Sequence, residues 1–349
     1  MDPFSANIHA WYTTNKRDLP WRKTSDPYKI WLSEIILQQT RVDQGIRYYH
    51  KFTERFPTIN HLAEAAEDEV LKLWQGLGYY SRARNLHFSA RHIVENHGGR
   101  FPDTYEKISA LKGIGPYTAA AIASIAFRLP FPAVDGNVYR VLSRYFGISA
   151  SPQTGEGKKR FAQIAAELLP ETNPGIHNQA LMEFGALQCV PRNPECNACP
   201  LSDSCYAFAQ KKVDLFPVKT KKIKQRIRYF FYYFIENEDY TWLEKRTNSD
   251  IWKNLYQFPL METEKELSEE ETATLRPSFL NGCSSNLKSI SAPRKHILSH
   301  QIIFARLIHL ETEPHCSLDT SFIRVKKRNL SNFAVPRLME KLLENTGYL

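Results

Sequence analysis

The stretch Leu111-Lys-Gly-Ile-Gly-Pro-Tyr-Thr118 decides how the first half of this chain is read. Two glycines one residue apart, between helical stretches, let the backbone turn tightly and expose amides at the start of the next helix. Such a turn can receive a phosphate, and two helices joined by it can grip a nucleic-acid backbone without reading its sequence. Taken alone, the pattern is equally a plain helix connection. The residues after it narrow the choice: a helix of small residues, the turn Leu129-Pro-Phe-Pro132, then Val134-Asp-Gly-Asn-Val138. Asp135 stands where a helix N-cap belongs, yet it emerges from an apolar wall, where a carboxylate is suited to stabilising a cation.

Outward from this turn the pattern stays helical, from Ile8 to about Ala209. Amphipathic segments are expected over 31–56, 59–77 and 83–96, with Gly76-Leu-Gly78 breaking between the last two. Two further helices are expected over 104–149. In the first of these segments Glu34 interrupts Ile30-Trp-Leu-Ser-Glu-Ile-Ile-Leu37, and Gln38 and Arg41 follow at helical spacing. On a solvent-facing side this is a polar stripe. Lining a cleft, the same carboxyl would be desolvated by Trp31 and Leu37 and raised in pKa, as a general acid requires. Beyond residue 228 the texture changes to aromatic and β-branched runs, Tyr229-Phe-Phe-Tyr-Tyr-Phe-Ile235, Tyr240-Thr-Trp-Leu243 and 302–310, which favour strands. Residues 262–271 read as a solvated helix or loop, and 336–343 as a closing helix. The second half is therefore α+β against an all-α first half.

At 349 residues, two domains are the default, and 46 Lys+Arg against 37 Asp+Glu give a formal charge of +9 spread over both halves. A polyanion could touch either half. The longest apolar run, 119–127, is far short of a membrane helix, and the start shows no secretory pattern. Four of the six cysteines fall in Cys189-x6-Cys196-x2-Cys199-x5-Cys205. Four thiolates so close can surround one metal centre, and zinc and a [4Fe–4S] cluster both fit. One CxxC with longer arms suits the wider cubane better than a single ion. Cys283 and Cys316 stand alone and read as ordinary thiols. A lysine-rich connector, 211–228, separates the two textures.

Together, 31–40, Gly76-Leu-Gly-Tyr-Tyr80, the Leu111–Tyr117 turn, 134–138 and the four cysteines resemble the helix-hairpin-helix DNA glycosylases. Within that superfamily the chain is most similar to the MutY family of adenine DNA glycosylases. The likeness extends to 255–259, His296-Ile-Leu-Ser-His300 and 333–337, which resemble that family's MutT/Nudix-like domain. It implies a helical catalytic domain over 1–210, with the helix-hairpin-helix at about 107–126 and an iron–sulfur loop at 189–205. A basic linker over 211–228 and an 8-oxoguanine-recognition domain over 229–349 would follow.

The resemblance further implies that Glu34 protonates a flipped adenine, Asp135 stabilises the oxocarbenium sugar, Asn137 orients them and Tyr117 helps enclose the sugar. Gln39 and Tyr79 would wedge the duplex, while Trp21, Arg22, Leu37 and Gln179 would line the adenine pocket. Ser299 and His300 would recognise 8-oxoguanine, Gly113 and Gly115 would meet phosphate, and Cys189, Cys196, Cys199 and Cys205 would hold the [4Fe–4S] cluster. Leu298 departs from the phenylalanine often found there, which bears on a stacking contact beside the lesion. The substrate implied is double-stranded DNA with an 8-oxoguanine:A or G:A mispair, bound by a monomer in a bacterial cytoplasm, at the nucleoid and not at a membrane.

Three other readings compete. An endonuclease III-like glycosylase/lyase needs a lysine where Tyr117 stands. A pyrophosphohydrolase needs a Gly-led Arg-Glu and Glu-Glu box that 262–271 lacks. The third is a metal-bound DNA-binding protein without catalysis.

Overall fold

A computed structural model of the chain describes residues 2–219 and 225–344; the centre of the basic connector, 220–224, lies outside them. The chain divides into two compact units, 1–64 with 85–221, and 65–84 with 222–349. The segment 65–84, N-terminal in sequence, thus belongs with the strands of the second half.

The first unit is built from helices α1 (Pro3–Asn15), α2 (Pro27–Leu37), α3 (Val42–Arg55) and α4 (Ile59–Glu64). The short α5 (Glu67–Trp74) falls in the second unit, and α6 (Ser81–His97) runs across the division. Next come α7 (Tyr105–Ser109), α8 (Pro116–Phe127), α9 (Gly136–Phe146), α10 (Gly155–Leu168), α11 (Pro174–Leu187) and α12 (Tyr206–Ala209). Two expected long helices are each broken. Residues 31–56 part between α2 and α3 because Gln39 takes a left-handed backbone at φ 58°. Residues 59–77 split into α4 and α5, and 104–149 hold three helices where two were expected.

Helix α8 is the pivot. Its face Thr118–Ser124 is wholly buried, and its alanines let α2, α7 and α11 close upon it. Glycine sets how near they come. A Cβ on Gly175 of α11 would stand 2.6 Å from the Ser124 carbonyl oxygen, and one on Gly185 would stand 2.7 Å from Asn137 Cβ. These two approaches hold α8 and α9 against opposite ends of α11. A second apolar cluster, with Phe4, Ile8, Leu142, Phe161 and Phe184 at its centre, seats Cys189 and Cys199 at its margin.

The second unit carries strands β1 (Arg226–Glu236), β2 (Tyr240–Lys245), β3 (Tyr256–Gln257), β4 (Leu260–Thr263), β5 (Ser285–Ile290), β6 (Arg294–Ile297), β7 (Gln301–Thr312) and β8 (Phe322–Lys326). They form a five-stranded sheet, β4-β1-β7-β5 with β6 also on β7, and a three-stranded sheet, β3-β2-β8. Strand β1 runs parallel to β7 from Arg226↔Gln301 to Glu236↔Glu311. Its alternate residues enter two cores: Phe230, Tyr232 and Phe234 on one side, Phe231, Tyr233 and Ile235 on the other. Burial on both faces explains the unbroken apolar run in the sequence. Helix α13 (Glu269–Ala273) starts at a capping box on Ser268, and α14 (Arg337–Leu343) closes the first of these cores.

Within this unit α5 is tied to the strands. Asp68 accepts from Lys245 at 2.5 Å and from Tyr256 Oη at 2.8 Å, and Tyr80 Oη donates to the Val335 carbonyl at 3.3 Å. The expectation of two ordinary thiols is corrected here. Cys283 and Cys316 form a disulfide with Cα atoms 5.2 Å apart. They are 33 residues apart in sequence, but the antiparallel register Ser285↔Thr312 of β5 and β7 brings their neighbourhoods together. Sequence spacing could not show that pairing.

Candidate active site and iron–sulfur loop

One cleft in the helical unit, of about 430 Å³, gathers Glu34, Tyr117, Asp135, Asn137, Trp21, Arg22, Leu37, Gln39 and Gln179. Glu34 lies three residues before the end of α2 and is only 9% exposed. It is therefore no part of a solvent-facing stripe. Nor does a helical face carry it to Gln38 and Arg41, because the helix stops at Leu37 and the chain turns. Gln38 instead donates to Thr118 Oγ1 at 3.2 Å, pinning the turn to α8.

Burial pushes the Glu34 carboxyl up to about 7, and repulsion from Asp135 adds to this. The Tyr117 hydroxyl, which donates to Glu34 Oε2 at 2.8 Å, pulls in the opposite direction. Tyr117 also lies 3.2 Å from Met182 Sδ on α11. The net result is a carboxyl near half-protonation at neutral pH, facing a cleft.

Asp135 caps α9 and also faces the cleft, so the two readings of this residue are compatible. Oδ1 accepts from the Val138 amide at 2.8 Å, and Oδ2 accepts from Asn137 Nδ2 at 2.7 Å. Burial raises its pKa, while these bonds and Arg140 oppose the rise. Arg140 extends the chain of contacts. Its Nη2 donates to Asn137 Oδ1 at 2.9 Å and its Nε to the Cys189 carbonyl at 2.7 Å. The carboxylate's orienting amide is thereby linked to the first cysteine of the loop.

The cleft wall contains residues that the sequence did not single out. Glu183, 2% exposed, binds Arg17 and Arg22 together, with Oε2 at 2.6 and 2.8 Å from their Nη2 atoms. Burial would raise this carboxyl, but the bonds from Arg22 and Arg17 outweigh it and hold it at about 2. Gln179 accepts from Tyr12 Oη at 3.1 Å through Oε1, leaving its amide nitrogen as the donor. No periodicity flags Glu183 or Arg17, since their meeting joins α11 to the loop after α1.

The four cysteines line one small cavity, with Arg144 beside them. Arg144 donates to the carbonyls of Val190, Pro191, Val213 and Phe216, and its Nη1 lies 3.4 Å from Cys189 Sγ. Burial and the neighbouring thiolates push the Cys199 thiol up to about 11. Burial likewise raises Cys196 and Cys205. Such thiols ionise readily only against a cation. Four thiols walling one cavity fit an iron–sulfur cluster.

In the turn before α8, Gly113 has φ 85°, and a Cβ there would meet Asn85 Cβ at 2.6 Å. Gly115 is the exposed N-cap of α8. Tyr79, Ser299 and His300 line a different cavity, of about 680 Å³, in the second unit. Tyr79 is 53% exposed with φ 46°, and its hydroxyl lies 3.0 Å from Ser299 Oγ. Trp252, also left-handed at φ 59°, lines the same cavity. Leu298 turns inward onto the apolar core, leaving Ile297 exposed beside it.

Comparisons with known proteins show what the chain is similar to. Residues 32–168 match the HhH-GPD superfamily of base excision DNA repair proteins, 189–205 the iron-sulfur binding domain of endonuclease III, and 231–345 the NUDIX domain. An adenine DNA glycosylase of Buchnera aphidicola (subspecies Acyrthosiphon pisum) is 37% identical over 98% of this chain and 97% of its own length. That of Rattus norvegicus is 45% identical over 58% of this chain and 41% of its own. Among solved structures, a thermostable thymine-DNA glycosylase superposes with a TM-score of 0.56 at 33% identity, covering 59% of this chain and 95% of that one. Endonuclease III from a non-covalent DNA complex shares the fold, with a TM-score of 0.52 at 19% identity over 60% and 94%.

Proposed function

The chain belongs to the adenine DNA glycosylases, and from that membership we propose a base-excision enzyme that removes adenine mispaired with 8-oxoguanine, and also adenine opposite guanine. The observation that carries the reading is the Glu34–Tyr117–Asp135 arrangement: a carboxyl lifted to about 7 and a capped carboxylate on one cleft.

The chemistry follows from the two carboxyls. The extruded adenine receives a proton at N7 from Glu34. The C1′–N9 bond then breaks, its electron pair leaving with the base. The Asp135 carboxylate, held by Val138 and Asn137, faces the oxocarbenium ion that forms, directly or through a transient bond to C1′. Water adds to C1′ and gives up its proton to the Glu34 carboxylate on the same cleft, which returns the residue to its acid form. Gln179, Arg22 and Trp21 wall the base, and Gln39 on the same cleft fills the space it vacates. Tyr79, in the second unit, wedges the duplex. Ser299 and His300 read the 8-oxoguanine left in the stack, and the 113–115 turn receives phosphate. Cys189, Cys196, Cys199 and Cys205 would hold the iron–sulfur cluster, which would fix the 189–205 loop. Tyr117 has no amine, so no Schiff base forms and the strand is not cut.

The test is a single-turnover assay on end-labelled duplexes carrying 8-oxoguanine:A, G:A or 8-oxoguanine:C. Cleavage of the adenine strand only after hot alkali, fastest opposite 8-oxoguanine, is expected. Breaks without alkali would refute the monofunctional mechanism, and equal rates on the two mispairs would refute the lesion preference.

A further inference from the structure

His300 is exposed at the rim of the C-terminal cavity, and one of its ring nitrogens already has a partner. Its Nε2 lies 3.0 Å from the side-chain nitrogen of Gln301, the first residue of β7, which is 4% exposed. The oxygen and nitrogen of an amide have nearly the same shape, so its orientation must be read from its other contacts. The far end of this amide meets Arg228 Nη1 at 3.2 Å. A guanidinium carries donors and no acceptor, so the amide oxygen faces Arg228 and the NH2 faces His300.

Arg228 is not free to turn. It is 8% exposed, and its Nη2 lies 2.9 Å from Asp250 and 2.6 Å from Glu262, while Nη1 and Nε bond the same two carboxylates. Asp250 is further held by Arg246 at 2.8 Å. A donor aimed at His300 Nε2 requires that nitrogen to be bare. The proton of the neutral ring then sits on Nδ1.

We propose that Gln301, oriented by Arg228, is a positioning residue that locks His300 in its Nδ1–H tautomer, so that the ring presents a hydrogen-bond donor to bound DNA. The proposal rests on the reading that Ser299 and His300 meet the 8-oxoguanine strand. Phosphate oxygens, and the extra carbonyl that oxidation places on the purine, are acceptors. A fixed donor is complementary to them, whereas a bare Nδ1 would set acceptor against acceptor. An unrestrained neutral histidine favours the Nε2–H form, so Gln301 selects the less common tautomer, and does so before DNA arrives. The Ser299 hydroxyl, shared with Tyr79, can rotate to donate or accept. The lock gives its neighbour the fixed polarity that a hydroxyl lacks.

The test uses the full-length iron–sulfur protein with nitrogen-15 histidine. Long-range proton–nitrogen NMR spectra report which ring nitrogen is protonated, and the His300 signals are assigned by their loss in His300→Asn. The wild-type ring is expected to be protonated on Nδ1. In Gln301→Met, which keeps the volume without a donor, and in Gln301→Glu, which replaces the donor with an acceptor, the proton is expected on Nε2. A wild-type ring protonated on Nε2, or a tautomer unchanged in both variants, would overturn the lock.

In single turnovers, Gln301→Met should lower the ratio of 8-oxoguanine:A to G:A rates by about tenfold, the worth of one hydrogen bond. An altered tautomer with equal losses on both mispairs would place the donor on phosphate and not on the lesion carbonyl, and an altered tautomer with both rates unchanged would overturn the donor role. A wild-type protein with no lesion preference would instead count against the lesion-site reading, while the DNA-free spectra would still decide the lock.

Discussion

Replacing Glu34 by glutamine tests the active-site electrostatics through stability as well as activity. Burial and Asp135 lift this carboxyl from its ordinary 4.5 to about 7. The folded protein therefore holds the proton more tightly than the unfolded chain does. Stability from that proton is fully present below the unfolded value and is lost as pH rises through the folded one. At about 1.4 kcal/mol per pH unit, the whole shift corresponds to about 3 kcal/mol. About 2 kcal/mol of this falls between about pH 5.5 and about pH 8.5. Glutamine does not titrate, and its oxygen can still accept from Tyr117.

Glu34→Gln should therefore gain on wild type as pH rises, by about 4–8 °C in the unfolding midpoint of a unit this size. Calorimetry of the two holoproteins at matched scan rate and ionic strength reads this directly. Parallel midpoints across the pH range would refute the raised pKa. Adenine release by the variant should be slower by about 10²–10⁴-fold, the usual worth of a general acid. In wild type the release rate should fall about tenfold per pH unit once pH exceeds about 7, as the acid form is depleted.

Other substitutions probe the remaining contacts. Tyr117→Phe removes the bond that favours the ionised carboxyl, so the alkaline limb of the release rate should move to higher pH; an unmoved or lowered limb would contradict the assigned bond. Asp135→Asn keeps an oxygen for the Val138 amide but discards the charge, so adenine release should fall by about 10²–10³-fold with the fold intact. Asp135→Ala should lose about 1 kcal/mol of stability besides, measurable by denaturant titration. Arg144→Ala frees four carbonyls around the cysteine cavity, and the purified variant should show reduced visible iron–sulfur absorbance per chain; full cluster content would show the arginine dispensable. Replacing Cys283 and Cys316 together with serine removes the tie across 33 residues and should destabilise the C-terminal unit by about 2–4 kcal/mol, with no change in denaturation speaking against the bond.

Much of the fold was legible because its signals are local. The glycine turn, the small residues of α8 and the aromatic run of β1 each declare an element by short-range pattern, and each appears where expected. Break points were harder to read. The turn after Leu37 depends on Gln39 adopting a left-handed backbone, which its residue type scarcely advertises. The grouping of 65–84 with the strands rests on Asp68, Lys245 and Tyr256, distant in sequence and bonded only after folding.

The sequence by itself determined the chemical inventory: two carboxyls with an apolar lead-in, four clustered thiols, a phosphate-type turn and a Ser-His pair following a Leu. Residue identity and spacing are enough for that, because metal-ligand sets and glycine turns are written over short distances. Tertiary structure decided which groups share a field. Whether Glu34 is a solvated stripe or an acid raised to about 7 depends on its burial, with Tyr117 83 positions away and Asp135 beyond it. The Glu183–Arg17–Arg22 knot, the Cys283–Cys316 bond and the donor that Gln301 turns toward His300 are likewise decided by tertiary structure. Desolvation and charge coupling act through space over a few ångströms, and chain order does not encode which distant residues will meet at that range.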